Sequence, residues 1–154
     1  MGNYAAVNIT MLSPEKYINW KKITVQAVYE NTEKAADFVK ANLPKECSAK
    51  VCHQVAIAVD EIYSNIIKYS EATELQIQVG IYDEMIYLLF ADNGIPYNPL
   101  ENKEPDTKVP IKEREIGGLG LFMVKKMMDY MEYEYQEEKN RFIIGKKFII
   151  GGDK

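Results

Sequence analysis

Val59-Asp60-Glu61-Ile62-Tyr63-Ser64-Asn65-Ile66-Ile67 is the stretch on which the reading of the chain turns. It lies within Cys47 to Tyr69, where Val51, Val55, Ala58, Ile62 and Ile66 recur at helical spacing. Residues i and i+4 share one face of a helix, so Glu61 and Asn65 are expected to project together. A carboxylate can take a proton, and an amide oxygen is a hard ligand suited to magnesium. Most helical glutamates are simply exposed. Asn65 is harder to dismiss, because asparagine is a mediocre helix former and this one sits among apolar residues. Asp60 points about 100° away around the helix and is not given the proton-accepting role.

Outward from this helix, the remaining elements follow from periodicity. Ile23 to Tyr29 alternates as a strand, and Asn31 or Thr32 opens a helix that Leu43-Pro44 stops near Asn42. Leu75, Ile77, Val79 and Ile81 alternate with polar or small residues. A tight turn at Asp83-Glu84 then leads into the apolar run Met85 to Ala91, giving an antiparallel hairpin. Gly118 to Tyr130 reads as a helix with Leu121, Val124, Met127 and Met128 inward. Glu132 to Glu138 and Arg141 to Ile150 close the chain as a hairpin turning at Glu138-Lys139-Asn140. Between the two hairpins, residues 100–116 carry Pro105, Pro110 and a dense run of charges, and are expected to form a lid. The order predicts an α+β fold, a two-layer sandwich of one mixed, mostly antiparallel sheet with helices on one face.

Two glycine-bearing segments supply what the helix pair lacks. Asp92-Asn93-Gly94-Ile95-Pro96-Tyr97-Asn98-Pro99 follows the apolar strand, and Gly117-Gly118-Leu119-Gly120-Leu121-Phe122 opens the later helix. An acid at a strand end is poorly solvated unless it meets a donor, although an ordinary Asp-Asn-Gly turn is the commoner reading of such a stretch. Glycines opening a helix let an anion lie against free N–H groups; a hinge or close packing would use them equally well. No Gly-Lys-Ser or Gly-Lys-Thr follows, so this is not a Walker phosphate loop. The chain also has no His-Arg-Asp or Asp-Phe-Gly of ordinary protein kinases.

In this order and at this spacing, the three segments resemble the ATP-site boxes of the GHKL ATPases, over roughly Ile23 to Ile149. Within that superfamily the chain is most similar to the small anti-sigma-factor serine kinases of bacterial partner switching. The resemblance implies the Bergerat, histidine-kinase-like ATPase fold over residues 23–150, preceded by an extension at 1–22. It implies ATP and Mg2+ as cofactors, with Asn65 holding the metal and Glu61 accepting the proton of an attacking hydroxyl. Asp92 would read adenine, with Gly94 letting the backbone approach the base. Gly117, Gly118, Leu119, Gly120 and Leu121 would line the phosphates, and Arg114 or Lys112 would reach the terminal one. Tyr69 stands four residues beyond Asn65, where many relatives have histidine.

The implied activity is serine/threonine phosphorylation of a small anti-anti-sigma partner of the STAS type, by a cytoplasmic homodimer that also engages a sigma factor. The alternative is a nucleotide-gated module that sequesters a sigma factor or other regulator without transferring phosphate. The composition agrees with either: 154 residues, 47% hydrophobic, 27% charged, with a net charge of −4 that argues against nucleic acid. No apolar stretch approaches the roughly 18 residues of a membrane span, and no signal peptide is evident. Cys47 and Cys52 are expected to be buried reduced thiols, and the single His53 cannot found a zinc site.

Overall fold

The computed structural model of the protein describes residues 19–101 and 118–148. Five strands form one sheet: β1 (Lys21–Gln26), β2 (Glu74–Tyr82), β3 (Met85–Asp92), β4 (Tyr130–Gln136) and β5 (Lys139–Lys147). Their spatial order is β1-β2-β3-β5-β4. Three helices accompany them: α1 (Thr32–Ala41), α2 (Ala49–Tyr69) and α3 (Gly118–Met127). Alternation along each strand decides which side is buried against the helices. Leu75, Ile77 and Val79 of β2, Ile86, Leu88 and Phe90 of β3, and Phe142 and Ile144 of β5 join one core. Ala35 and Val39 of α1, the apolar stripe of α2, and Leu121 and Val124 of α3 complete it. The predicted two-layer α+β arrangement, with helices on one face, is the observed one. A smaller cluster of Tyr87, Leu89, Tyr130 and Ile143 occupies the opposite face of the sheet, with Trp20 and Met85 against it.

Every described pairing in the sheet is antiparallel, not mixed. The connection from β3 through α3 to β4 does return the chain in a parallel sense. β5 then inserts between those two strands, so neither meets a parallel neighbour. Both hairpins turn on two non-glycine residues with positive φ, Asp83 and Glu84 (52° and 64°), and Glu137 and Glu138 (55° and 60°). The second turn falls earlier than the sequence suggested and places Asn140 inside β5. α3 likewise ends earlier, because Tyr130 already pairs with Gly145 as a strand residue.

α2 is the beam on which the site is built. Ser48 caps it by accepting from Val51 N (3.1 Å), so Cys47 precedes the helix and does not belong to it. Both thiols are free and only partly buried, and burial pushes that of Cys47 up to about 12. Midway along, the fully buried Tyr63 donates its hydroxyl to the Val28 carbonyl (2.5 Å), fixing the helix to the end of β1. No described helix is long and apolar enough to cross a membrane.

Candidate functional site

The C-terminal half of α2, the end of β3 with the loop after it, and the first turn of α3 carry five of the predicted residues, Glu61, Asn65, Asp92, Gly94 and Gly120. Asn65 is 2% exposed, and its Nδ2 donates to the Glu61 carbonyl one turn back (2.7 Å). That bond fixes the amide orientation and turns Oδ1 away from its own helix. Among the described residues, Oδ1 receives a single long contact, from the Tyr97 hydroxyl (3.5 Å), so this buried hard oxygen is able to take a stronger partner. Glu61 lies one turn before Asn65, and its carboxylate rests against α3. A Cβ built on Gly120 would come within 2.1 Å of Glu61 Cδ and 2.2–2.4 Å of its two oxygens. Thus the third residue of α3 must be glycine for the carboxylate to sit where it does. The glycine segment and the helix pair, separate in sequence, are one place in the fold.

Asp92 closes β3 at 3% exposure. Its Oδ1 accepts from Gly94 N (2.9 Å) and from Asn140 Nδ2 (3.0 Å), while Oδ2 meets no donor among the described residues. The loop that follows is pinned from two sides. Asn93 Oδ1 accepts from Thr73 N and Glu74 N (2.9 and 3.0 Å), and Ile95 N donates to the Ser70 carbonyl at the end of α2 (2.7 Å). Gly94 is required here by protein packing: an added Cβ would stand 2.1 Å from the Ser70 oxygen. Close approach to a base is not the only reason for glycine at this position. Tyr69, the last residue of α2, packs its ring on Tyr97 (centroids 5.3 Å apart, planes 31°).

Asn140, which the sequence places in a turn, is a strand residue of the site. It sits opposite Asp92 in the β3–β5 register and makes four contacts, two of them to the loop. Nδ2 donates to Asp92 Oδ1 and to the Ile95 carbonyl (2.7 Å); Oδ1 accepts from Tyr97 N (2.9 Å) and from the Tyr133 hydroxyl (2.5 Å). Burial pushes the Tyr133 phenol above its ordinary value, which keeps that hydroxyl a donor. The only signal in the sequence would have been a register count placing position 140 beside Asp92.

Of the other predicted residues, Gly118 and Leu119 open α3 beside Gly120. The Leu121 side chain is sealed in the core and cannot line a ligand. The first N–H groups of such a helix lack intrahelical acceptors and favour an anion. Lys112, Arg114, Gly117 and nearly all of the expected lid lie outside the described residues, as does most of the 1–22 extension.

The donor set suits a magnesium nucleotide. No cluster of three His, Cys, Asp or Glu side chains occurs among the described residues, so no all-protein metal cage is built there. Magnesium does not need one, since it commonly takes one or two protein oxygens and completes its shell with water and phosphate. Asn65 Oδ1 can be such an oxygen, and Asp92 Oδ2 is an acceptor for an exocyclic amine.

The family model of the histidine kinase-like ATPase domain matches residues 25–146, the span that contains all of these groups. The chain belongs to this family. It is similar to the serine-protein kinase RsbW of Bacillus cereus, 22% identical over 144 residues that cover 89% of this chain and 82% of that protein. The RsbW of Oceanobacillus iheyensis is 23% identical over 141 residues, covering 88% and 83%. That of Bacillus mycoides is 28% identical over 88 residues, which span 53% of this chain and only 55% of the relative's length.

Proposed function

We propose that this protein binds Mg-ATP and transfers its γ-phosphoryl group to a serine of a small anti-anti-sigma partner of the STAS type. The observation that carries the reading is the seating of the Glu61 carboxylate on Gly120. It puts a proton acceptor at the opening of α3, where free N–H groups favour phosphate, one turn from the buried Asn65 oxygen. Asp92 Oδ2 would accept from the adenine amino group. Asn65 would hold the magnesium ion, which when bound neutralises charge on the triphosphate. In the transfer itself, the serine Oγ–phosphorus bond forms as the bond from the γ-phosphorus to the bridging oxygen breaks. ADP leaves, and the hydroxyl proton passes to Glu61. The serine-protein kinase names of the relatives support this reaction class.

The test is incubation of the purified protein with γ-labelled ATP and a candidate serine-bearing partner. Label on the partner serine is expected, with none when that serine is replaced by alanine. ATP bound without any label transferred would favour the second reading, a nucleotide-gated module that sequesters a sigma factor or other regulator. Asp92→Asn presents a donor to another donor, a buried mismatch costing about 1–3 kcal/mol. Calorimetry should therefore show ATP affinity weakened about 10-fold or more.

A further inference from the structure

Asn140 has no part in the transfer chemistry, yet its amide is buried and engaged at both ends. The amide orientation is unambiguous: Nδ2 faces two acceptors, Asp92 Oδ1 and the Ile95 carbonyl, and Oδ1 faces two donors, Tyr97 N and the Tyr133 hydroxyl. A flipped amide would put like against like at three of these contacts, since only the Tyr133 hydroxyl could turn to accept. Asp92 Oδ1 has room for about two donors, and Gly94 N and Asn140 Nδ2 supply both. The geometry points to Asn140 as the residue that sets base selectivity, because it commits one oxygen of Asp92 to the protein and leaves the other as the single acceptor for the nucleotide base. The inference rests on the reading of Asp92 as the carboxylate that meets the base.

The chemistry of the purines gives this arrangement a consequence. The hydrogen-bonding edge of adenine offers one donor, its 6-amino group, beside a ring nitrogen that accepts. Guanine offers two adjacent donors, N1–H and the 2-amino group, which suit a carboxylate with both oxygens free. Against an Asp92 whose Oδ1 is already filled, one guanine donor is left unpaired in a buried place, and buried unpaired donors are strongly selected against. Asn140 acts through Asp92 and is thus a positioning residue. It sits at the strand position that can reach Oδ1 while also holding the loop of Ile95 and Tyr97 in place.

Competition against a fluorescent ATP analogue, with unlabelled ATP, GTP and inosine triphosphate, tests this on three proteins. On the wild type, inosine triphosphate lacks the 2-amino group of guanine, so it leaves no donor unpaired against the one open oxygen and should compete better than GTP. GTP competing about 10-fold better than inosine triphosphate would mean that both oxygens are open, and would overturn the inference. Asn140→Ala frees a lone pair on Oδ1 and should narrow the ATP-to-GTP preference about 10-fold. A purely structural role would weaken both nucleotides by one factor and leave the ratio unmoved, which would also overturn it. Should Asn140→Ala fail to fold by circular dichroism, the wild-type competition decides alone. Asp92→Asn tests the reading beneath: unchanged ATP affinity would remove Asp92 from the base site and take this inference with it. Weakened ATP binding in Asp92→Asn, together with an unmoved ratio in Asn140→Ala, would sink only the role of Asn140.

Discussion

Gly94 and Gly120 flank the same site, and a side chain on either would collide at 2.1 Å, but with different things. At Gly94 the obstacle is the Ser70 main chain, locked at the end of α2 and already accepting from Ile95 N. At Gly120 it is the far end of the Glu61 side chain, which has rotamers to retreat into. The Asp92 side is therefore a rigid frame, in which Asn93 holds Thr73 and Glu74, Asn140 holds Asp92, Ile95 and Tyr97, and Ser70 holds Ile95. The Glu61 side is a contact between a helix opening and one movable carboxylate. Rigidity suits reading a base, where a misplaced acceptor costs selectivity. A carboxylate that gains and loses a proton in each turnover is better served by a position that can relax.

The comparison breaks most visibly if Glu61 proves inert. Glu61→Gln keeps the shape and the contact with Gly120 but cannot take a proton. Transfer to a partner serine should fall about 10²–10⁴-fold, while Mg-ATP affinity stays within a few-fold. Phosphorylation at the wild-type rate would remove Glu61 from the chemistry and leave its seat on Gly120 a matter of packing. Asn65→Ala is the necessary contrast, since a lost metal oxygen should weaken ATP binding and transfer together.

Gly120→Ala should come next in size. The new methyl would push the Glu61 carboxylate out of place, and misplacement by about 1 Å can cost on the order of 10²-fold in rate. Stability should barely change, because replacing a helical glycine by alanine gains about 0.5–1 kcal/mol, which offsets the displaced side chain. A variant with a wild-type melting temperature and crippled transfer is the expected pair of results. A large fall in melting temperature would mean that the α3 opening is as rigid as the Asp92 loop.

Much of this was legible in the sequence. The alternation of Leu75, Ile77 and Val79, the Asp83-Glu84 turn and the helical stripe through Ile62 and Ile66 gave the sheet and its beam, because local periodicity reports which side is buried. Glu61, Asn65, Asp92 and the glycine segment were legible because their order along the chain resembles a known ATP site. Asn140 was not, for its partner lies 48 residues away and the link depends on the register between β3 and β5. A two-residue turn of positive-φ glutamates carries no Asn-Gly or Asp-Gly signal, so local sequence alone puts the turn later and Asn140 at its tip. The packing reason for Gly94 was hidden in the same way, since nothing local announces that the Ser70 carbonyl will lie beneath it.

Gly94→Ala tests the rigid side. The loop would have to lift off Ser70, losing the Ile95 N bond and loosening the Gly94 N contact to Asp92. Overpacking against backbone costs about 1–3 kcal/mol, and in a chain of this length each kcal/mol lowers the melting temperature by about 2–4 °C. Calorimetric melting should therefore show a drop of several degrees, with ATP affinity falling alongside. Wild-type stability would show that the loop can breathe and that the frame is softer than its hydrogen bonds suggest.

The smallest expected effect separates the two glycines most cleanly. Combining each alanine with truncation of its neighbour asks whether the collision is with a side chain or with the backbone. Glu61→Ala removes the very atoms that a methyl at position 120 would meet, so Gly120→Ala should be more favourable in that background than alone. The stability coupling should be about 0.5–1 kcal/mol, at the lower end of what contacting residues show. Ser70→Ala removes the hydroxyl oxygen, 2.8 Å from the new methyl, but leaves the carbonyl oxygen at 2.1 Å, so it relieves little of the Gly94→Ala collision and those two costs should add within about 0.5 kcal/mol. The hydroxyl has its own work, donating to Ile66 O (2.8 Å) and accepting from Ala72 N (3.3 Å), and its loss sets the Ser70→Ala baseline. Denaturant melts of both cycles give the answer. Strong coupling at Gly94 and none at Gly120 would invert the assignment, placing the yielding element beside the base and the fixed one beside the proton acceptor.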